Sequence, residues 1–129
     1  MSDRIKILLI EDSPSDQQLI RSLLSDVQAV QFACEWTGSL GDGLARLSTG
    51  EFQAVLLDLS LPDSHGLETY ERVVPVCESI PVIVLTGHED EELALAALER
   101  GAQDYLTKGE ISSDLLARTL RYAMGRKRA

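Results

Sequence analysis

Five short apolar segments, each followed by a stretch with helical periodicity, are the feature of this chain that most restricts its fold. Such runs, bounded by charged or turn residues, are typical of strands in a buried sheet, and the alternating pattern of the second run is typical of an edge strand. The predicted strands are Lys6–Ile10, Val30–Trp36, Ala54–Leu57, Pro81–Leu85 and Ala102–Thr107. Because strands alternate with helices and crossovers are right-handed, we expect a doubly wound α/β fold with a parallel sheet.

Cap residues and apolar stripes place a helix after each strand. Ser13 followed by Pro14, for example, is an N-cap with proline at the first helical position. The expected helices begin at Pro14, after Ser39, at about His65, near Glu89 and after Ser112 or Ser113, and they end near Val27, Gly50, Pro75, Gly101 and position 125.

Length and composition indicate one acidic domain. The 129 residues contain no linker, repeat or low-complexity segment, which predicts a single domain over residues 1–129. The formal net charge of −9 argues against nucleic acid binding, because a phosphate backbone would be repelled. The two cysteines, Cys34 and Cys77, are too few for a disulfide framework and lack the spacing of a zinc site, so we expect buried thiols.

The first apolar run is too short for a signal peptide or a membrane span, because Ile7–Ile10 is followed at once by two acids. A cytoplasmic location without membrane contact is therefore expected. Cations gather near the other end, at Arg118, Arg121, Arg126, Lys127 and Arg128. Interaction with the negative pole of a helix dipole is the preferred explanation for them, and a partner-binding role is the alternative.

Polar residues stand at the ends of four predicted strands: Glu11 and Asp12 after the first, Asp58 after the third, Thr86 after the fourth and Lys108 after the fifth. The carboxyl ends of parallel strands meet at one edge of the sheet, so these side chains should cluster. Three neighbouring carboxylates repel one another unless a proton or a cation neutralises them, and their oxygens suit Mg²⁺. Lys108 and Thr86 could then bind phosphoryl oxygens, with Asp58 as the nucleophile that forms an acyl phosphate.

Together, Glu11-Asp12, the segment LDLSLPDSHG around Asp58, Thr86-Gly87, and Tyr105 with Lys108 resemble the receiver domain of two-component response regulators. The resemblance covers nearly the whole chain and implies a flavodoxin-like sheet of order 2-1-3-4-5. It also implies that Asp58 accepts a phosphoryl group from a histidine kinase or a histidine phosphotransfer protein. The domain would be a signalling module and not an enzyme, catalysing only its own phosphotransfer and dephosphorylation.

The resemblance assigns further roles. Asp12, Asp58 and the backbone carbonyl of Ser60 would bind Mg²⁺ directly and Glu11 through water, while Lys108 and Thr86 would hold the phosphoryl oxygens. Thr86 would then move toward the phosphoryl group as the aromatic side chain of Tyr105 turns inward. By the same resemblance, this switch would remodel the face formed by the fourth helix, the fifth strand and the fifth helix, where partners of the family usually detect phosphorylation.

Two loop positions are implied to set the lifetime of the acyl phosphate. Ser60 and His88, two residues after the phosphoacceptor and the threonine, flank the route of an attacking water, although a solvated loop residue is an equal interpretation of His88. Gly109 follows Lys108 where the family commonly has a proline in a cis peptide bond, so we expect a trans and looser loop here.

Several alternatives remain at this stage. The domain could act alone, as a homodimer, or as one part of a longer protein with a fused output region. A pseudo-receiver that binds partners without phosphorylation is disfavoured by the intact set of acids, Thr86 and Lys108. A flavodoxin-like electron carrier is disfavoured because EDSPSD replaces a phosphate-binding loop, and an aspartate-based phosphatase because position 60 is Ser.

Overall fold

The computed structural model describes residues 4–128 and contains the predicted parallel sheet. Its strands are β1 (Arg4–Ile10), β2 (Gln31–Thr37), β3 (Ala54–Asp58), β4 (Val82–Thr86) and β5 (Asp104–Thr107). The sheet order is β2-β1-β3-β4-β5, and all four neighbouring pairs are parallel. The predicted fold class and strand order are therefore confirmed.

Five α-helices cover the two faces of the sheet: α1 (Pro14–Ser25), α2 (Leu40–Leu47), α3 (Leu67–Val73), α4 (Glu91–Glu99) and α5 (Ser113–Arg128). Side chains of α1 and α5 join one buried cluster, and side chains of α2, α3 and α4 join the other. All five residues of β3 are buried, because this strand lies in the middle of the sheet between both clusters. Its position at the centre follows from its unbroken apolar sequence.

Serine side chains cap three helices as predicted. Ser13 Oγ accepts a hydrogen bond from the Asp16 amide at 3.3 Å, and Ser39 Oγ accepts one from the Asp42 amide at 3.2 Å. Of the two candidates before α5, Ser112 is the cap, since its Oγ accepts from the Leu115 amide at 3.1 Å. These bonds satisfy backbone donors that have no partner within the helix.

The structure adds one element and corrects two predicted helix boundaries. A small antiparallel hairpin pairs Ser60–Leu61 with Ser64–His65, so α3 begins at Leu67 and not at His65. Gly66, with φ 75°, separates the hairpin from the helix, which is a conformation that glycine adopts without strain. The last helix continues to Arg128 beyond the expected end near position 125, because Gly125 lies inside it without breaking it.

Both cysteines are unpaired, as predicted. Cys77 is buried and Cys34 is partly buried, and burial raises the pKa of each thiol to about 11. Neither thiol is therefore reactive at neutral pH. Within residues 4–128, no helix combines the length and the apolar character that crossing a membrane requires.

Gly43 lies on the buried face of α2, against the last residue of β1. A Cβ atom at this position would come within 2.5 Å of Ile10 Cδ1 and 2.9 Å of Ile10 Cγ1. Ile10 is fully buried and cannot move aside without disturbing its neighbours. The glycine thus allows α2 to pack closely on the strand end that precedes Glu11.

We expect Gly43→Ala to lower the free energy of unfolding by about 1–3 kcal/mol, because overpacking outweighs the gain in helix propensity of about 1 kcal/mol. Gly125→Ala in α5 is the matched control, since nothing lies within 4 Å of its added Cβ. It should raise the free energy of unfolding by up to about 1 kcal/mol. Urea unfolding followed by circular dichroism measures both, and equal effects would contradict the close packing.

Candidate functional site

The predicted strand-end residues meet at one edge of the sheet around the ammonium group of Lys108. Its Nζ atom donates a hydrogen bond to Asp58 Oδ2 at 2.6 Å and lies 2.7 Å from Glu11 Oε2. Asp58 ends β3, Glu11 follows β1 directly, and Lys108 follows β5. The predicted clustering of these three side chains is therefore present in the structure.

A third carboxylate on Lys108 was not predicted. Lys108 Nζ also donates to Asp16 Oδ2 at 3.1 Å. Asp16 lies in the first turn of α1 and not at a strand end. The convergence of strand ends, which predicted the other site residues, therefore could not predict Asp16. Its one sequence signal is its place three residues after the cap Ser13, in a helix that starts beside the acidic pair.

Two carboxyl groups of the cluster are almost fully buried, with Glu11 1% and Asp58 6% exposed, while Asp12 is exposed at the rim. Burial, together with the hydrogen bond and negative charge of Asp58, raises the pKa of Glu11 to about 8. Burial alone would lower the pKa of Lys108, but its bonds to Asp58 and Glu11 hold that pKa above the usual value. The site is therefore rich in negative charge that one lysine neutralises only in part.

One buried hydroxyl at the same edge has no partner. Thr86 ends β4, the strand next to β3, and is 2% exposed. Its Oγ1 makes no hydrogen bond to another described residue. A buried hydroxyl without a hydrogen bond destabilises the folded protein. The Thr86 hydroxyl is therefore suited to bind a ligand beside the acids.

The loop after β3 is held in place by two acids. Asp58 Oδ1 accepts a hydrogen bond from the Ser60 amide at 2.8 Å. Asp63 accepts from the Leu40 and Gly41 amides, at 2.8 and 2.9 Å, and these bonds lower the pKa of its carboxyl group. Asp63 thereby joins this loop to the N-terminus of α2, a contact that no local sequence pattern indicates.

Tyr105 and His88 lie farther out. The Tyr105 hydroxyl donates to Glu91 Oε1 at 3.2 Å, so the side chain reaches toward the start of α4. His88 is exposed, and its Nδ1 lies 3.6 Å from Glu110 Oε2. No cis peptide bond occurs in residues 4–128, in agreement with the trans bond expected at Gly109.

The residues present fit a divalent cation. Glu11, Asp12 and Asp58 each offer a carboxylate oxygen, and the three oxygens lie within 4.8 Å of one another. Mg²⁺ prefers hard oxygen ligands and keeps several waters, which suits a cluster with one member open to solvent. The excess negative charge and the raised pKa of Glu11 provide the electrostatic reason for a cation to bind.

We expect Asp58→Asn to raise the free energy of unfolding of the metal-free protein by on the order of 1 kcal/mol. Repulsion between neighbouring carboxylates that shifts a pKa by one unit corresponds to about 1.4 kcal/mol. The substitution removes a buried negative charge, while the Asn Oδ1 can still accept from the Ser60 amide. Glu78→Gln, which removes an exposed acid in a distant loop, is the control and should change little. Thermal unfolding in EDTA measures both, and a less stable Asp58→Asn would show that the ion pair with Lys108 outweighs the repulsion.

Comparisons with known proteins agree with this geometry. The family model for the response regulator receiver domain matches residues 7–120. Swarming motility regulation protein RssB of Serratia marcescens is 34% identical over 114 residues, which make up 88% of this chain and 51% of RssB. KDP operon transcriptional regulatory protein KdpE of Escherichia coli is 35% identical over 123 residues, 95% of this chain and 52% of KdpE. The chain thus spans about half the length of these curated relatives.

A solved receiver domain from Clostridium thermocellum superposes with a TM-score of 0.83 at 27% identity, covering 96% of this chain and 97% of that one. A match over this share of both chains extends to the whole α/β fold and not to one motif. The family model, the relatives and the fold lead to one conclusion: the chain belongs to the response regulator receiver domain family and is a signal receiver of two-component systems.

Proposed function

We propose that Asp58 is the residue that accepts the phosphoryl group. The observation that carries the proposal is the contact of its buried carboxylate with Lys108, beside two further acids, at the carboxyl edge of the sheet. In the transfer, an Asp58 oxygen bonds to phosphorus as the phosphorus–nitrogen bond of a phosphohistidine breaks. The imidazole nitrogen keeps the electron pair and takes a proton from solvent. Receiver domains generally act in signalling and not as enzymes for external substrates.

Mg²⁺ is the proposed cofactor, as receiver domains bind this ion at their acidic pocket. Asp12, Asp58 and the Ser60 carbonyl would hold it directly, with Glu11 acting through water. A bound Mg²⁺ neutralises charge on the carboxylates and on the incoming phosphoryl oxygens. The chain's own contribution is Lys108, whose ammonium already lies against the Asp58 oxygen and can follow a phosphoryl oxygen bound there.

The unpartnered hydroxyl of Thr86 is the proposed sensor of the phosphoryl group. Turning toward a phosphoryl oxygen would give it the hydrogen bond that it lacks, which supplies a driving force for the movement. Tyr105 would turn inward in the same step and give up its bond to Glu91 at the start of α4. The face of α4, β5 and α5 would thereby change shape and report the phosphorylated state.

Ser60 and His88 are the proposed determinants of how long the acyl phosphate lasts. Ser60 is exposed two residues after Asp58, and its Oγ lies 3.4 Å from His65 Nδ1. His88 projects beside Gly109 and near Glu110 from the opposite loop. Under this proposal, both side chains would flank the route of an attacking water to Asp58 and would hinder or admit it.

Histidine kinases and output domains are the partners that response regulator relatives imply. For this chain we propose a histidine kinase or a histidine phosphotransfer protein as donor, in the cytoplasm, and a protein partner or a fused output region as target. Formation of a homodimer is compatible with the same switch. The chain spans about half the length of its curated relatives, so the output of those longer proteins is not assigned to it.

We expect acetyl phosphate with Mg²⁺ to add one phosphoryl group to the wild-type protein and none to Asp58→Asn. The label should be released by hydroxylamine, because an acyl phosphate is cleaved by this nucleophile. Asp90→Asn, which changes an exposed acid in the turn before α4, is the matched control and should be labelled normally. Intact-protein mass spectrometry measures the result, and labelling of Asp58→Asn would contradict the assignment. Absence of labelling in every form, with kinase as donor, would favour the pseudo-receiver.

Removing the side chain of one metal-binding residue should weaken the binding of Mg²⁺. We expect Asp12→Ala to lower the affinity for Mg²⁺ by about tenfold or more, because a divalent cation loses one of its few carboxylate ligands. Asp12 is exposed, so the fold should survive the change. Isothermal titration calorimetry measures the affinity directly, with Asp42→Ala on α2 as a control that leaves the site intact. An unchanged affinity in Asp12→Ala would exclude this residue as a ligand.

A further inference from the structure

The side chain of Asp16 is directed at the acidic site and not at its own helix. Asp16 lies three residues after the cap Ser13, the position from which a capping box reaches back to the amide of the cap residue. Here the Ser13 amide donates instead to Glu11 Oε1 at 3.1 Å. Within residues 4–128, the one cation that the Asp16 carboxylate contacts is Lys108, 92 residues farther along the chain.

Three carboxylates surround the ammonium group of Lys108. Its Nζ atom lies 2.6 Å from Asp58 Oδ2, 2.7 Å from Glu11 Oε2 and 3.1 Å from Asp16 Oδ2. An ammonium group has three N–H donors and no acceptor. A phosphoryl oxygen that binds Lys108 must therefore enter a space that three carboxylate oxygens already occupy.

Of these three carboxylates, that of Asp16 is the one that can be displaced. Its side chain is 32% exposed, against 8% for Asp58 and 1% for Glu11, so water can take the place of Lys108 there. Taking the lysine away from a nearly buried carboxylate would leave an uncompensated charge, which is strongly destabilising. Asp16 Oδ2 is also the oxygen farthest from Nζ, which indicates the weakest of the three contacts.

A phosphoryl group on Asp58 would also be repelled by Asp16. Asp58 Oδ2 and Asp16 Oδ2 contact the same Nζ atom, so only the ammonium group separates their charges. A phosphoryl group adds up to about two negative charges at neutral pH. The ion pair of Asp16 with Lys108 therefore stabilises the unphosphorylated state more than the phosphorylated one, and such a difference shifts the equilibrium between two states.

We propose that Asp16 restrains phosphorylation of this domain by competing with the phosphoryl group for the ammonium group of Lys108. The inference rests on the proposed role of Asp58 as the phosphoacceptor. Asp16 acts through Lys108 and is therefore a positioning residue and not a catalytic one. In the phosphorylated protein, Lys108 binds a phosphoryl oxygen and the Asp16 carboxylate turns to solvent in the first turn of α1, where the helix dipole still favours it.

The first test measures the initial rate at which acetyl phosphate with Mg²⁺ labels the whole chain, by intact-protein mass spectrometry. In this reaction an Asp58 oxygen bonds to phosphorus as the phosphorus–oxygen bond to the acetyl group breaks, and acetate leaves with the electron pair. We expect Asp16→Ala to be labelled about threefold or more faster than the wild type, because one charge-assisted bond no longer opposes the transfer. Partial unfolding cannot explain a faster reaction, since a damaged site would react more slowly.

Asp42→Ala is the matched control. Asp42 is exposed and follows the cap Ser39 of α2 by three residues, as Asp16 follows Ser13 in α1. Its substitution makes the same change in net charge and in the first turn of a helix, and it should leave the rate unchanged. Asp16→Glu, which keeps the charge on a longer side chain, should restore the slower rate of the wild type.

The second test measures the competition at equilibrium. Beryllium fluoride with Mg²⁺ binds a carboxylate reversibly as an analogue of the phosphoryl group, and fluorine NMR detects the bound form. Asp16→Ala should bind this analogue about threefold or more tightly than the wild type, because Lys108 is free to contact it. Asp42→Ala and Asp16→Glu should bind it as the wild type does.

The outcomes separate this inference from the proposed function. Equal rates and affinities in the wild type and Asp16→Ala, with the label on Asp58, would overturn the competition and leave the phosphoacceptor assignment intact. Slower labelling of Asp16→Ala would overturn it by showing that Asp16 assists Lys108. An equal gain in Asp42→Ala would also overturn it, because net charge alone would then be the cause. A wild-type protein that neither acetyl phosphate nor a kinase labels would overturn the proposed function and this inference with it.

Discussion

The ammonium group of Lys108 is the interaction on which the site depends. Among the described residues it is the one cation that contacts Glu11, Asp16 and Asp58, two of which are almost fully buried. Without it, the carboxylates at the ends of β1 and β3 would repel one another across adjacent strands. Lys108 follows β5, which is not adjacent to β1 or β3. Its long side chain therefore connects the end of β5 to the ends of β1 and β3.

The site has a defined geometry, but it retains interactions that destabilise the protein in the absence of a ligand. One lysine only partly offsets the acids, burial raises the pKa of Glu11 to about 8, and the Thr86 hydroxyl lacks a partner. Each of these costs is relieved by a ligand of a defined kind: a cation for the acids and a phosphoryl oxygen for the hydroxyl and the ammonium. Functional sites commonly retain such local conflicts, and the stability comes from the two apolar layers around the sheet.

Sequence patterns predicted the parts of the site that depend on strand ends. Glu11, Asp58, Thr86 and Lys108 are each the residue at which an apolar run stops, so topology alone brings them to one edge. Asp16 and Asp63 were missed as members of the network, because their partners are 92 and about 22 residues away in sequence and are reached only after folding. The hairpin at Ser60–His65 was also missed, since its two-residue strands are too short to show a period.

The sequence by itself determined the order of strands and helices, the serines that cap α1 and α2, and the identity of the residues at the strand ends. These follow from local rules, namely apolar periodicity and the hydrogen-bonding needs of helix ends. Only the tertiary structure decided which acids share Lys108, that Thr86 is left without a partner, and that Arg118, Arg121 and Tyr122 face solvent on one side of α5. Contacts between distant segments decide such features, because charge pairing and burial depend on distances in space that the linear order of residues does not specify.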